Sequence, residues 1–104
     1  MAQFIVYKNN NSRTRKTRPF LLDIQSDLLS DLQTRLVVPL VKSGRDGEMP
    51  GKVTPAIDIG GEPYILVMPQ LAGIDVSQIG SVVADLGHYR DEIVAALDFL
   101  VTGI

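Results

Sequence analysis

A mainly β, α+β domain is what this 104-residue chain predicts, on three observations. β-branched and aromatic runs recur from residue 3 to residue 68, a Gly60-Gly61 pair separates two of them, and one long helical pattern follows at the C-terminal end. The length suits a single domain, 1–104. At this size folding buries roughly two-thirds of the surface of the unfolded chain, so the core is modest and a dimer would help it.

Residues 3–8 (QFIVYK) put Phe4 and Val6 on one face and Ile5 and Tyr7 on the other, which predicts a central strand buried on both sides. Asn9, Asn10, Asn11 and Ser12 then open a polar loop that runs on to Arg18. Residues 20–25 alternate, with Phe20, Leu22 and Ile24 sharing a face, and predict a second strand paired with the first as a hairpin. In residues 26–32 (SDLLSDL) an Asp/Ser-rich turn leaves Leu28 and Leu29 adjacent, so at least one faces outward. Residues 35–41 resume β character, but Pro39 has no N–H for a ladder, and an edge strand or a bulge is expected there. Residues 42–54 hold three glycines, one proline and five charges, the composition of the most mobile stretch. Residues 56–59 and 63–68 flank Gly60-Gly61, a pair suited to a short hairpin. Residues 70–80 read as a loop with room for a short strand near Val76.

Residues 88–101 predict the helix, with Gly87 as its N-cap and Asp91 and Glu92 near its positive end. Tyr89, Ile93, Ala96, Leu97 and Leu100 form one stripe, yet eight of the nine residues from Ile93 to Val101 are hydrophobic, Asp98 being the exception. A helix apolar nearly all round needs more than one sheet to cover it, and a second copy about a twofold axis supplies that surface.

The chain has no cysteine, which excludes disulfides, thiolate zinc sites and thiol nucleophiles and asks for no oxidising compartment. Residues 1–10 lack the pattern of a signal peptide and no apolar run nears 18 residues, so a soluble, cytoplasmic protein without a membrane span is expected. The net charge is −2 but unevenly spread. Residues 1–22 carry Lys8, Arg13, Arg15, Lys16 and Arg18 and no acid, whereas residues 85–104 set Asp85, Asp91, Glu92 and Asp98 against Arg90.

Catalytic patterns are weak. Gly47-Glu48-Met49-Pro50-Gly51-Lys52-Val53 has a spacer one residue short of a phosphate loop, and Val53 where a magnesium-binding hydroxyl belongs. His88 is the only histidine and cannot build a zinc site alone; near the helix start it reads as a surface residue. Asp23, Asp27 and Asp31 recur every four residues, but across a strand and a turn, so they need not converge on a cation. The cluster Arg13-Thr14-Arg15-Lys16-Thr17-Arg18 lacks the interleaved aromatics of a base-stacking surface and fits an acidic protein partner better than nucleic acid. No catalytic set, metal site or cofactor motif assembles, and such a protein is expected to act by contact.

Taken in order, Gln3-Phe4-x-Val6-Tyr7, Asp23-x-Gln25-Ser26-Asp27-Leu28-Leu29, Arg35-Leu36-Val37-Val38-Pro39-Leu40, Pro55-x-Ile57-x-Ile59, Ala84-Asp85-Leu86-x-His88 and Gly103-Ile104 resemble the CcdB toxins of bacterial toxin–antitoxin modules. The resemblance runs through essentially the whole chain and is weakest over residues 42–54. It implies an SH3-like barrel or antiparallel sheet with a small β wing and a long C-terminal helix, assembled as a homodimer. It also implies a non-enzymatic poison of DNA gyrase, which inserts between the A subunits and traps the enzyme on cleaved DNA. By position, the gyrase-binding residues would be Leu28, Leu29, Asp98, Val101, Thr102, Gly103 and Ile104. A CcdA-like antitoxin, with an acidic disordered segment and an operator-binding domain, would meet Lys8, Arg13, Arg15, Lys16 and Arg18. Two positions depart from the family pattern: Thr102 stands where a tryptophan precedes Gly-Ile, and Asp98 where an asparagine is found. The rival expectation is a ribonuclease toxin of the same broad fold, using Arg35 or Arg90 with His88; a third is a relative that binds antitoxin but not gyrase.

Overall fold

Successive strand-forming runs are joined here by turns rather than helices, and the result is an antiparallel sheet curled into a half-barrel. The computed structural model describes residues 1–44 and 49–103. Its elements are β1 (Ile5–Asn9), β2 (Phe20–Asp23), β3 (Thr34–Lys42), β4 (Ala56–Ile59), β5 (Glu62–Leu66), β6 (Ala72–Asp75), β7 (Ile79–Asp85) and α1 (Arg90–Thr102). The sheet order is β4-β5-β3-β2-β1-β7, with β6 also paired to β3, and every pairing is antiparallel. This is the mainly β, α+β class predicted, with the β4–β5 hairpin as the wing. Gly60 and Gly61 turn that hairpin at φ +60° and +87°, the conformation that a two-residue turn with matching twist requires.

β1 is interior, as its two-sided apolar pattern predicts: it lies between β2 and β7, with Val6 opposite both Leu22 and Ala84. The strand begins at Ile5, because Phe4 sits at φ +66°, a conformation that strains a bulky residue. Its backbone is pinned from two sides, the N–H donating to the Asp23 carbonyl (2.6 Å) and the carbonyl accepting from Leu86 N–H (2.8 Å).

β3 corrects the edge-strand expectation. It is central, with β2 on one side and β5 and β6 on the other. The missing N–H of Pro39 is tolerated because of where it falls. Pairing with β6 ends at Val37, pairing with β5 begins at Leu40, and the Pro39 carbonyl accepts from Val67 N–H (3.0 Å). The Val67 carbonyl, which would want an N–H from residue 39, takes one from Gln70 (3.0 Å) as the chain enters a short 3-10 turn at Met68–Gln70. The acceptor that Pro39 cannot serve is thereby satisfied.

Residues 70–80 hold more structure than the loop expected. β6 stops at Asp75, and Val76 opens a 3-10 turn whose N-cap is Asp75, its carboxylate accepting from Ser77 N–H (2.9 Å). β7 follows at once; its register slips twice against β1, and Val82 is left exposed, so no clean alternation marks it in the sequence. The helix also starts later than predicted. Gly87–Tyr89 is a 3-10 turn, and Tyr89 takes the N-cap position without a side-chain cap; its hydroxyl instead accepts from Asp58 N–H (3.1 Å). The expected mobile stretch lies partly outside the described residues, at 45–48; beyond it Gly51 and Thr54 form an isolated bridge.

The main core gathers Val6, Leu22, Val38, Leu40, Ile57, Leu66, Met68 and Leu86 from the sheet and its connections. α1 closes it with Ile93 and Ala96, both 1% exposed. Burying Ile93 alone contributes about 2–3 kcal/mol, which fixes how the rest of the helix is displayed. Val41, Ile65 and Val67 form a second, smaller cluster.

Candidate functional site

Three surfaces carry the residues singled out from the sequence: the turn after β2, the end of α1 and the loop after β1. The turn is built from polar side chains. Ser26 accepts Leu28 N–H on its hydroxyl (3.2 Å), making Asp27–Leu29 a capped 3-10 turn. Asp27 accepts the Gln3 N–H (2.8 Å), and Gln3 Nε2 donates to the Ile24 carbonyl (3.2 Å). Gln25 Nε2 donates to the Leu29 carbonyl (2.9 Å), while its Oε1 accepts from Leu36 N–H on β3 (3.0 Å). With the backbone so tied, Leu28 is 94% exposed and Leu29 51%. Both leucines of the pair therefore face solvent, and Leu32, which sequence reasoning passed over, is a third at 51%.

Beneath the turn lies a buried ion pair. Arg35 donates through Nε (2.9 Å) and Nη2 (2.5 Å) to Asp23 Oδ2, and Asp23 Oδ1 accepts from Gln25 N–H (3.0 Å). Both side chains are shut off from solvent, and Arg35 Nη1 has no hydrogen-bond partner among the described residues. Burial pushes the Asp23 carboxyl above its ordinary value of 3.8, and the bonds from Arg35 and Gln25 pull it back only in part. This arrangement corrects the ribonuclease expectation for Arg35: a guanidinium 1% exposed and clasped by Asp23 does not reach a substrate. Arg90 and His88 remain exposed, His88 resting against the Tyr89 ring at 4.5 Å between centroids. Of the aspartates spaced by four, Asp23 is committed to Arg35 and Asp27 to the Gln3 backbone, and no metal-holding group of acids and histidine forms among the described residues.

The end of α1 is built by packing. Ile93 and Ala96 anchor it inward, which leaves Val101 72% exposed and Asp98 at the surface. Thr102 turns its hydroxyl back to the Asp98 carbonyl (2.7 Å) one turn earlier, the i−4 back-bond that a helical threonine makes. Gly103 ends the helix at φ +76°, its N–H bonded to the Phe99 carbonyl (2.9 Å), the left-handed cap that glycine adopts without strain. Ile104, the expected apolar anchor, lies outside the described residues. No hydrogen bond among the described residues joins the leucine turn to the helix end. Beside the helix, Lys52, Pro55, Glu92, Ala95, Ala96 and Phe99 line a groove of about 430 Å³, with Lys52 Nζ 4.8 Å from the centre of the Phe99 ring. Nothing in the sequence spacing marks that groove, because its two sides are some forty residues apart. The phosphate-loop-like segment shares Lys52 with it, and its Gly47 and Glu48 lie outside the described residues.

The basic loop is ordered by its own side chains. Asn9, buried at the end of β1, donates to Thr14 Oγ1 and to the Arg18 carbonyl, both at 2.9 Å, and accepts from Asn11 N–H. Lys8, Arg13, Arg15 and Lys16 are exposed, and no carboxylate among the described residues pairs with them. Arg18 differs: it is half-buried, and its Nε donates to Gln70 Oε1 (2.6 Å).

A family model described as CcdB protein matches residues 3–103, which takes in all three surfaces. The chain belongs to the CcdB family. Its β1 to α1 framework is also similar to an endoribonuclease solved in complex with its cognate antitoxin, from a mycobacterial species (TM-score 0.74, 11% identity, covering 94% of this chain and 91% of that one). The Mycobacterium tuberculosis toxin MazF-mt6 is similar too (TM-score 0.70, 14% identity, 90% and 92% covered). At these identities the likeness is one of fold. This CcdB-family chain thus has a fold shared with toxins of toxin–antitoxin modules.

Proposed function

We propose that this CcdB-family protein is the toxin of a type II toxin–antitoxin module. It acts in the cytoplasm as a homodimer on the A subunit of DNA gyrase, holds the enzyme on cleaved DNA, and is neutralised by a CcdA-like antitoxin. The observation that carries this is Leu28, a leucine 94% exposed on a turn held by Ser26, Asp27 and Gln25, at a position that the resemblance read from the sequence would make a gyrase contact. On a backbone already ordered by hydrogen bonds a leucine gives up only its own rotamer freedom on docking, and burying it contributes about 1.5–3 kcal/mol. Leu29, Asp98, Val101, Thr102, Gly103 and Ile104 complete the proposed contact, with Val101 the exposed apolar group at the helix end. A second copy packed on the exposed faces of α1 would cover what one sheet leaves open. The toxin needs no metal or cofactor and catalyses nothing.

Lys8, Arg13, Arg15 and Lys16 give the acidic antitoxin segment four exposed cations that no carboxylate among the described residues pairs with, and Arg18, bonded to Gln70, contributes least. Operator DNA is contacted through the antitoxin. Neutralising Arg13, Arg15 and Lys16 together is expected to weaken antitoxin binding at least tenfold and flatten its salt dependence; a titration with unchanged affinity and slope would refute the assignment.

Expression without antitoxin should arrest growth with DNA breaks attached to gyrase, and deleting residues 102–104 should abolish arrest while the protein stays folded. Full-length protein that never arrests growth would favour the antitoxin-binding relative, for which Thr102 in place of the family tryptophan is the motive. The endoribonuclease among the similar folds keeps one alternative in view, with exposed Arg90 and His88 as its residues. RNA cleavage by the pure protein, lost in Arg90→Ala, would establish it.

A further inference from the structure

We propose that Gln25 is the positioning residue of the leucine turn, locking Leu28 and Leu29 to β3 so that they meet gyrase preassembled; this rests on the gyrase reading above. In a regular ladder Leu36 N–H would donate to the Ile24 carbonyl. Here Ile24 N–H still donates to Leu36 (3.0 Å), but the Ile24 carbonyl accepts from Gln3 Nε2 (3.2 Å). The Gln25 Oε1 takes the Leu36 N–H in its place (3.0 Å). The side chain of Gln25 thus stands in for the main chain at the point where β2 leaves the sheet.

The other half of the same carboxamide reaches forward to the Leu29 carbonyl (2.9 Å). One partner is a donor and the other an acceptor, so only one orientation of the amide serves both. Gln25 is 8% exposed, and its own N–H is fixed by Asp23 Oδ1 (3.0 Å), which Arg35 holds through the other oxygen. A buried hydrogen bond shielded from water is stronger than an exposed one, and each link here fixes the next. The turn itself buries no side chain, so its position relative to the sheet comes from polar ties and not from packing: its first residue, Asp27, is held to the Gln3 N–H (2.8 Å), and its last, Leu29, is held to β3 by Gln25. Pre-ordering a contact surface lowers the entropy lost on docking, and so a residue that never touches gyrase can change affinity for it.

Gln25→Glu separates the two bonds: it keeps an acceptor for Leu36 N–H and replaces the donor facing the Leu29 carbonyl with an oxygen. Amide hydrogen exchange, gyrase A-subunit affinity and antitoxin affinity are measured on wild type, Gln25→Glu, Leu29→Ala and the double variant. The expected result is at least tenfold faster exchange at Leu28 and Leu29 with β-strand amides unchanged, a tenfold or greater loss of gyrase affinity, and antitoxin affinity within twofold of wild type. Leu29→Ala should weaken gyrase binding too, and the double variant should lose less than the product of the two single losses. Exchange at the turn unchanged in Gln25→Glu, or gyrase affinity within twofold of wild type, would overturn the proposal. Wild type that binds no gyrase would overturn the gyrase reading, and the exchange rates would still decide whether Gln25 positions the turn. Gln25→Met, near-isosteric and uncharged, gives the same readouts if the glutamate variant does not fold.

Discussion

The leucine turn and the end of α1 both present apolar side chains to solvent, but they are held in place by opposite means. The turn has no buried residue of its own and hangs from a polar chain that runs from Arg35 through Asp23 and Gln25 to the Leu29 carbonyl. The helix end is carried by Ile93 and Ala96 in the core, and its polar groups, Thr102 and the Gly103 N–H, only close the last turn. Close packing fixes the helix through many non-directional contacts, whereas the turn depends on the length and direction of a few hydrogen bonds. Precise display of exposed leucines is thus delegated to buried polar groups, with a desolvation penalty that an apolar core would not carry.

The most severe way to break this comparison is Arg35→Met. It removes the cation from the buried Asp23 carboxylate and should cost about 3–5 kcal/mol at neutral pH, read by urea denaturation. The sign with pH is set by burial. Because the folded Asp23 pKa is raised, the uncharged carboxyl is the form that folding favours; its contribution is fully present below 3.8 and is lost as pH rises through the folded value. The defect of Arg35→Met should therefore shrink as pH falls, and a loss of stability that does not vary with pH would show that Asp23 charge is not its cause. Ile93→Ala attacks the other support and should cost roughly 3 kcal/mol by leaving a void under α1, with no dependence on pH. Gly103→Ala sharpens the contrast at lower amplitude. At φ +76° a Cβ is strained though nothing crowds it, and a loss of about 1 kcal/mol, confined in hydrogen exchange to the last helical turn, is expected. The smallest effect is at Asp75, away from both surfaces. Its carboxyl lies below the ordinary 3.8 because it accepts from Ser77, so its NMR titration should fall below that value, and the stability it lends to the turn before β7 is lost as pH drops through the folded pKa.

The exposed apolar groups of both surfaces were legible in the sequence, but the means that hold them were not equally so. Adjacent Leu28 and Leu29 in an Asp/Ser turn announce exposure, since a turn cannot bury neighbours on opposite sides. A helix apolar on eight of nine positions likewise announces that some face stays uncovered. Short-range signals also located β1, β2 and the Gly60-Gly61 hairpin. What escaped was long-range. Pro39 argued for an edge because its missing donor was visible, while the Gln70 N–H that takes the orphaned Val67 carbonyl was not. β7 escaped because bulged pairing and half-exposed residues erase its alternation. Arg35 in an apolar run looked available for chemistry; its partner Asp23 lies twelve residues back, and only the β2–β3 register brings the two together. Gln25 was legible only as a member of the Asp23-x-Gln25-Ser26 stretch that resembles the family; nothing local marked its side chain as the tie between the turn and β3.

DNA cleavage by purified gyrase, with wild-type protein and with the Leu28→Ala, Leu29→Ala double variant at matched folded concentrations, tests the central claim most directly. Wild type should accumulate DNA covalently attached to the A subunit, and the double variant should need at least about tenfold more protein for the same effect while melting within a few degrees of wild type. No trapped DNA with wild type, or full trapping with both leucines removed, would contradict a leucine-turn gyrase poison.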